Sequence, residues 1–159
     1  KLVDCDQVQS AFLSMVHELR TLQVILWQLP PSLKKDVARL DGFLSRLPPT
    51  VKHAVEFRHA SWWDDDTVKC LKRHRAAFVA VSHPRLPADA PATARFLYVR
   101  FHGLGPELYR YHYSERELGD WVERLRPLLS RRTLYAFFNN DYEAHAVQNA
   151  RTFRELLHS

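Results

Sequence analysis

The chain has 159 residues, 46% of them hydrophobic, with 9 prolines against 4 glycines, which suits one domain with a real core and excludes a low-complexity linker. Two cysteines, Cys5 and Cys70, are too few for a disulfide-built secreted scaffold, and no Cys/His spacing announces structural zinc. A formal net charge of +5 and a pI near 9.4 raise nucleic acid as a partner, but the densest basic groups (Lys69, Lys72, Arg73 and Arg75, then Arg124, Arg126, Arg131 and Arg132) follow helical patterns and read as a solvated exterior.

A helix is expected over 4–19, with Asp4 and Gln7 as a capping pair and Val8, Phe12, Met15, Val16 and Leu19 as its apolar stripe. A strand over 24–29 ends at Pro30 and Pro31. Val37, Leu40, Phe43, Leu44 and Leu47 mark a second helix, closed by Pro48 and Pro49. The next strand is 53–58, HAVEFR, and Ser61 with Asp64 predicts a helix over 62–73, with Val68 and Leu71 inward. A third strand, 78–82, leads into a proline-rich loop over 83–94. A fourth strand, 97–102, stops at Gly103, and Ser114 with Glu117 caps a helix whose face is Leu118, Trp121, Val122, Leu125 and Leu129.

The stretch 134–150 shows the repeating unit most clearly. Its apolar start, LYAFF, has no polar alternation and suits a parallel strand covered on both faces. Asn139, Asn140 and Asp141 follow, with Asn140 or Asp141 placed to cap a helix whose face is Val147, Ala150, Phe153 and Leu157. Repeated strand-helix units imply parallel strands joined by right-handed crossovers, in a doubly wound sheet or a (β/α)8 barrel. No glycine-rich phosphate loop is present, which favours the barrel. No apolar run reaches the length of a membrane span, so a soluble, cytoplasmic protein with no membrane partner is expected.

The runs LWQLPPS, VEFRHASW, YVRFHG, YHYSERELGDW, FFNND and HAVQNA, in this order between Leu26 and Ala150, resemble the signature blocks of the YecE-like family, the seventy-second domain of unknown function. The resemblance implies a TIM-barrel-like fold of parallel β/α repeats with polar groups at the strand ends, and it implies no known reaction. It also implies glycine at position 144, where this chain has Ala144, expected to tighten the helix start. Blocks that match the family's first strands are not found, so the chain reads as a partial domain, 1–159, of an incomplete barrel. Two open sheet edges would then favour self-association.

In either architecture ligands bind at the C-terminal ends of the strands. Side chains two apart share a strand face, so Glu56 pairs with Arg58 and Arg100 with His102. One reading is a mutually satisfied network that fills the barrel. The other is a site in which Arg58 and Arg100 grip an anion, Glu56 or His102 moves a proton, and Asn139 and Asn140 orient a substrate. The aromatic loop over 104–113, with Tyr109, Tyr111 and Tyr113, is placed to cover a ligand, Tyr111 foremost. A metal set of Glu56, His102, Asp141 and His145 lacks a compact motif, so no metal is expected and any cofactor is unknown. Two function classes stand: an enzyme acting on a small polar or anionic substrate, and a nucleic-acid-binding or accessory protein using the basic surface.

Overall fold

A computed structural model describes Leu2 and residues 6–89 and 91–159 of the chain. The strands are β1 (Val24–Gln28), β2 (Lys52–Glu56), β3 (Ala77–Ser82), β4 (Phe96–Phe101) and β5 (Thr133–Phe138). The helices are α1 (Asp6–His17), α2 (Val37–Leu44), α3 (Asp65–His74), α4 (Glu115–Leu125) and α5 (His145–His158). Every strand pair is parallel and the sheet order is β1-β2-β3-β4-β5. A doubly wound sheet reverses its order at a switch point. Here each crossover steps the same way, and right-handed crossovers then put the helices on one face and a barrel interior on the other. The chain is an α/β fold with a curled, parallel half-barrel, an incomplete TIM-like barrel, whose edges at β1 and β5 have no further described neighbour.

The alternation of side chains divides the core accordingly. Outward residues of β2 and β3, Val55 and Phe78, meet Leu40, Phe43 and Leu71 from α2 and α3, joined by Phe57 just beyond β2. Val99 and Phe101 of β4 meet Leu118, Trp121 and Val122 of α4 and Phe153 of α5. The inward set is Ala54, Val79, Val81, Phe96 and Tyr98. At the open edge Tyr98 stacks on Phe137 at 4.9 Å, yet Phe137 remains 45% exposed because no described strand lies beyond β5. No described helix is long and apolar enough to cross a membrane.

Several helix starts differ from the sequence expectation, each for a tertiary reason. Asp64, not Ser61, caps α3, accepting from Asp66 N at 2.9 Å. Ser61 lies instead in a short 3-10 turn, Ala60–Trp62, that drives Trp62 fully into the core, where its indole donates to Leu33 O at 2.8 Å and stacks on Phe57 at 4.6 Å. The Ser114–Glu117 capping box of α4 is present as expected. In α1 the stripe is rotated: Val16 is buried, while Val8 and Met15 are exposed. Leu19 lies beyond the end of α1. The Asp4 part of its expected cap, and Cys5, lie outside the described residues.

The start of α5 departs most. Neither Asn140 nor Asp141 caps it; a 3-10 turn, Tyr142–Ala144, intervenes and Ala144 stands at the N-cap without a side-chain bond. The buried face is Asn149 and Phe153, and Val147 is 53% exposed. Glu143 and Ala144 both have left-handed backbones, with φ of 51° and 62°. An L-residue there costs roughly 1–2 kcal/mol, which glycine escapes at the expense of some unfolded-state entropy. Ala144 is exposed, so removing its methyl forfeits no packing. Ala144→Gly is therefore expected to raise the melting temperature by about 2–4 °C; an unchanged or lower value in a thermal melt would show that this corner is not strained.

Candidate functional site

The parallel register brings the strand ends together. Gln28 of β1 stands opposite Glu56 of β2, and Arg100 of β4 opposite Phe137 of β5. Inward alternation then places Gln28, Glu56, Arg58, His83, Arg100, His102 and Asn139 at the same end of the half-barrel. Glu56 is 0% exposed and organises this cluster. Its Oε2 accepts from Arg100 Nη1 at 2.5 Å and its Oε1 from Arg58 Nε at 2.7 Å. His102 Nε2 lies 3.3 Å from the same Oε1. Gln28 Oε1 ties the two guanidiniums together, accepting from Arg100 Nη1 at 2.8 Å and from Arg58 Nη2 at 3.2 Å.

Burial works to raise the Glu56 pKa, but hydrogen bonds from His102 and Arg100 and the charges of both arginines outweigh it and hold the carboxyl at about 2. Glu56 is thus a fixed anion at neutral pH. His102 is 2% exposed, and its Nδ1 has no hydrogen-bond partner among the described residues. Its neighbour His83 is held below its usual pKa by burial and by the His102 and Arg58 charges, with its ring 6.3 Å from that of His102. Asn139 continues the β4–β5 ladder, donating its N–H to Phe101 O at 2.8 Å, and its side-chain Oδ1 is also buried without a partner.

Asn140 is turned away from this cluster. Its Nδ2 donates to Tyr111 O at 2.7 Å and to Asn149 Oδ1 at 2.8 Å. Asn149 in turn accepts from Tyr113 N at 3.1 Å and donates to Tyr113 O at 2.8 Å. The two amides clasp the aromatic loop to the start of α5. The other end is fixed at Gly103, whose φ of 104° and close approach to Leu108 exclude a side chain: a Cβ would lie 1.8 Å from Leu108 O. Gly103 N donates to the Tyr113 hydroxyl at 2.7 Å, which donates to Ser82 Oγ at 2.8 Å. Tyr111 points its hydroxyl at Glu117 on α4. The aromatic that borders the cluster is Tyr109, edge-on to His102 at 6.2 Å.

The structure therefore brings together Glu56, Arg58, Arg100 and His102, leaves Asn139 at the adjoining end of β5 through its backbone bond to Phe101, and gives Asn140 and Tyr111 to the loop clasp and α4. Gln28 and His83 were passed over in the sequence, and Tyr109, named there with the other loop aromatics, takes the place expected of Tyr111. For Gln28 and His83 the signal was there: each is the polar end of an otherwise apolar inward-facing alternation, Val24-Leu26-Gln28 and Val79-Val81-His83. Among the described residues Glu56, His102, Asp141 and His145 do not gather at metal-ligand separations.

A carboxylate with a folded pKa of about 2 against an ordinary 4.5 stabilises the protein above the ordinary value, and that contribution is lost as pH falls from 4.5 towards 2. A shift of this size corresponds to on the order of 3 kcal/mol. Glu56→Gln is expected to lose that amount near neutral pH and to flatten the acid limb, and Arg100→Ala to lose a similar amount by stranding the carboxylate. Urea melts at about pH 7 and about pH 3 measure both; parent-like curves for the two variants would contradict a buried, mutually dependent cluster.

The chain matches the family described as Protein of unknown function DUF72 over residues 1–159. It is 24% identical to the UPF0759 protein YunF of Bacillus subtilis (strain 168), over 86% of this chain and 58% of that protein. A DUF72 family protein of Thermotoga maritima MSB8, solved by crystallography, superposes with a TM-score of 0.85 at 34% identity, covering 98% of this chain and 66% of that one. One from Enterococcus faecalis V583 superposes with a TM-score of 0.80 at 22% identity, over 99% of this chain and 67% of that one, a likeness of fold alone. The chain thus spans less than two thirds of the length of its curated relative and of the Thermotoga structure. With a family match along its whole length and a fold shared with the Thermotoga structure, the chain belongs to the DUF72 family.

Proposed function

We propose that the strand-end cluster is a binding site for a small polar or anionic substrate, with Arg58 and Arg100 as the anion fork, His102 as the group that moves a proton, Asn139 as an orienting amide and Glu56 as the fixed charge that aims all three. The carrying observation is His102 Nδ1, buried beside Arg58 with no hydrogen-bond partner among the described residues, with a second such atom, Asn139 Oδ1, on the neighbouring strand end. Burying a polar atom without a partner costs about 1–3 kcal/mol, a penalty that a bound ligand would remove. Charge supports the same reading: two guanidiniums face one carboxylate, so an anion would complete the balance. Acid–base chemistry on the bound molecule is the enzymatic form of the proposal, with His102 the imidazole placed to carry it.

The N-terminus of α5 is a poorer anion site, because Asp141 and Glu143 already occupy the field there. The nucleic-acid alternative rests on the basic surface, and much of that surface serves the fold. Arg126 and Arg132 donate to the carbonyls of Leu156, Ala94 and Leu128, Arg124 lies over Trp121, and Arg73 pairs with Asp41.

Calorimetric titration with inorganic phosphate and with a small dicarboxylate tests the assignment. Arg58→Lys and Arg100→Lys are each expected to weaken binding about tenfold despite keeping the charge, because lysine lacks the two-pronged donor. Asp141→Asn should leave affinity equal or better, and binding should fall only modestly with salt. A loss confined to Asp141→Asn would sink the site, and steep, uniform salt dependence with an oligonucleotide in place of the small anions would favour the nucleic-acid class.

A further inference from the structure

On the outer layer, where α2 packs on α3, three donors of different chemistry converge. Cys70 and His74 are four apart on α3 and so share a face, and Asp41 of α2 stands opposite them. Asp41 Oδ1 lies 2.5 Å from His74 Nε2 and 3.9 Å from Cys70 Sγ. All three ligand atoms fall within 4.8 Å of one another. Cys70 is a free cysteine, 1% exposed, and its sulfur faces the carboxylate.

We propose that Asp41, Cys70 and His74 form a site for a thiolate-preferring divalent cation of the zinc class, bridging α2 and α3 with a fourth position left to water. Metal–ligand lengths of about 2.3 Å to sulfur, about 2.0 Å to imidazole nitrogen and about 2.1 Å to carboxylate oxygen put tetrahedral ligand atoms roughly 3.3–3.6 Å apart. The sulfur–oxygen separation is near that span already. The His74–Asp41 separation has to open by about 1 Å, within reach of a turn of the half-exposed Asp41 carboxylate. A mixed sulfur, nitrogen and oxygen set disfavours magnesium and calcium, which take oxygen ligands.

The proton balance is explicit. The ion replaces the Cys70 thiol proton, which leaves to solvent, and it takes the Nε2 lone pair of His74 with the ring proton moved to Nδ1. Arg73 is the competitor, since its Nη2 lies 2.6 Å from the same Asp41 oxygen on a largely exposed side chain that can swing into water. His74 also borders a cavity with Lys52, Phe96 and Thr133, at the N-terminal ends of the strands. The site thus lies at the opposite end of the half-barrel from the Glu56 cluster, which suits a clamp between helices and not a catalytic centre.

Cobalt(II) serves as the probe, titrated into the full chain under a non-chelating reductant, with zinc then used to displace it. One equivalent should produce a thiolate-to-cobalt charge-transfer band and the strong d–d bands of a tetrahedral ion, and zinc should raise the melting temperature. Cys70→Ser should abolish the charge-transfer band, and Asp41→Asn should weaken affinity about tenfold or more. Arg73→Ala separates the clamp from a plain hydrogen-bonded pin: it should tighten metal binding severalfold by freeing the carboxylate, whereas a pin alone predicts no metal binding in any variant. Because Arg73 is exposed, that variant keeps the test sound even where Cys70→Ser folds poorly. Absence of saturable cobalt binding in both the parent chain and Arg73→Ala, or a charge-transfer band that survives Cys70→Ser, overturns the proposal.

Discussion

A carboxylate fully removed from water cannot stand alone in a sheet, and the burial of Glu56 therefore dictates much of what surrounds it. Its two oxygens draw a guanidinium from its own strand end, a second from β4, and the imidazole of His102. The guanidiniums in turn draw Gln28 from β1. Three strands are thereby locked in register at their C-terminal ends, and each long arginine is held in one orientation. That preorganisation is what a recognition site requires, because the entropy of ordering the side chains is spent in folding and not in binding.

The same cluster explains why the barrel interior changes character along its axis. Between the two ends of the strands the inward positions are small or apolar, with Ala54, Val79 and Val81 beside Phe96 and Tyr98. Polar groups return at the strand ends, with Gln28, Glu56 and Arg100 closing the inward alternation of β1, β2 and β4 and Lys52 at the opposite mouth, over Phe96 and Tyr135. A charge one layer lower would be enclosed by apolar side chains without a partner within reach. The polar end and the apolar body are therefore one solution to the same constraint, and the sequential strand order supplies the single concave face on which both can be built.

Sequence reading caught this part of the molecule well, because period-two alternation is a local property that survives folding. Glu56 with Arg58, and Arg100 with His102, were assigned to one face from their spacing alone, and the structure brings all four together. The five strands were found from another local signal, short apolar runs closed by proline, glycine or polar residues. What escaped was decided by partners distant in sequence. Asn140 has the chemistry of a helix cap, yet its amide goes to Tyr111 O and Asn149, the latter a residue of the buried face of α5. Ser61 has the spacing of a cap, but burial of Trp62 turns that segment into a separate 3-10 turn. The stripe of α1 is ambiguous at the edge of an open sheet, where few described elements lie beyond β1 to choose its inward face.

The Asn140–Asn149 clasp shows how the fold divides position from chemistry. Both side chains bond the main chain of the loop, at Tyr111 and Tyr113, so what they fix is a path and not a side-chain identity. Gly103 and the buried Tyr113 hydroxyl secure the other end of that path. Between these anchors the loop is held close enough for Tyr109 to lie edge-on to His102 while remaining half exposed. A tyrosine on an anchored backbone with a free ring can vary its contact with a ligand without disturbing the strand ends beneath it. Variation in the loop's side chains is thereby separated from the Glu56 network, which cannot change one member without leaving a buried charge unpaired.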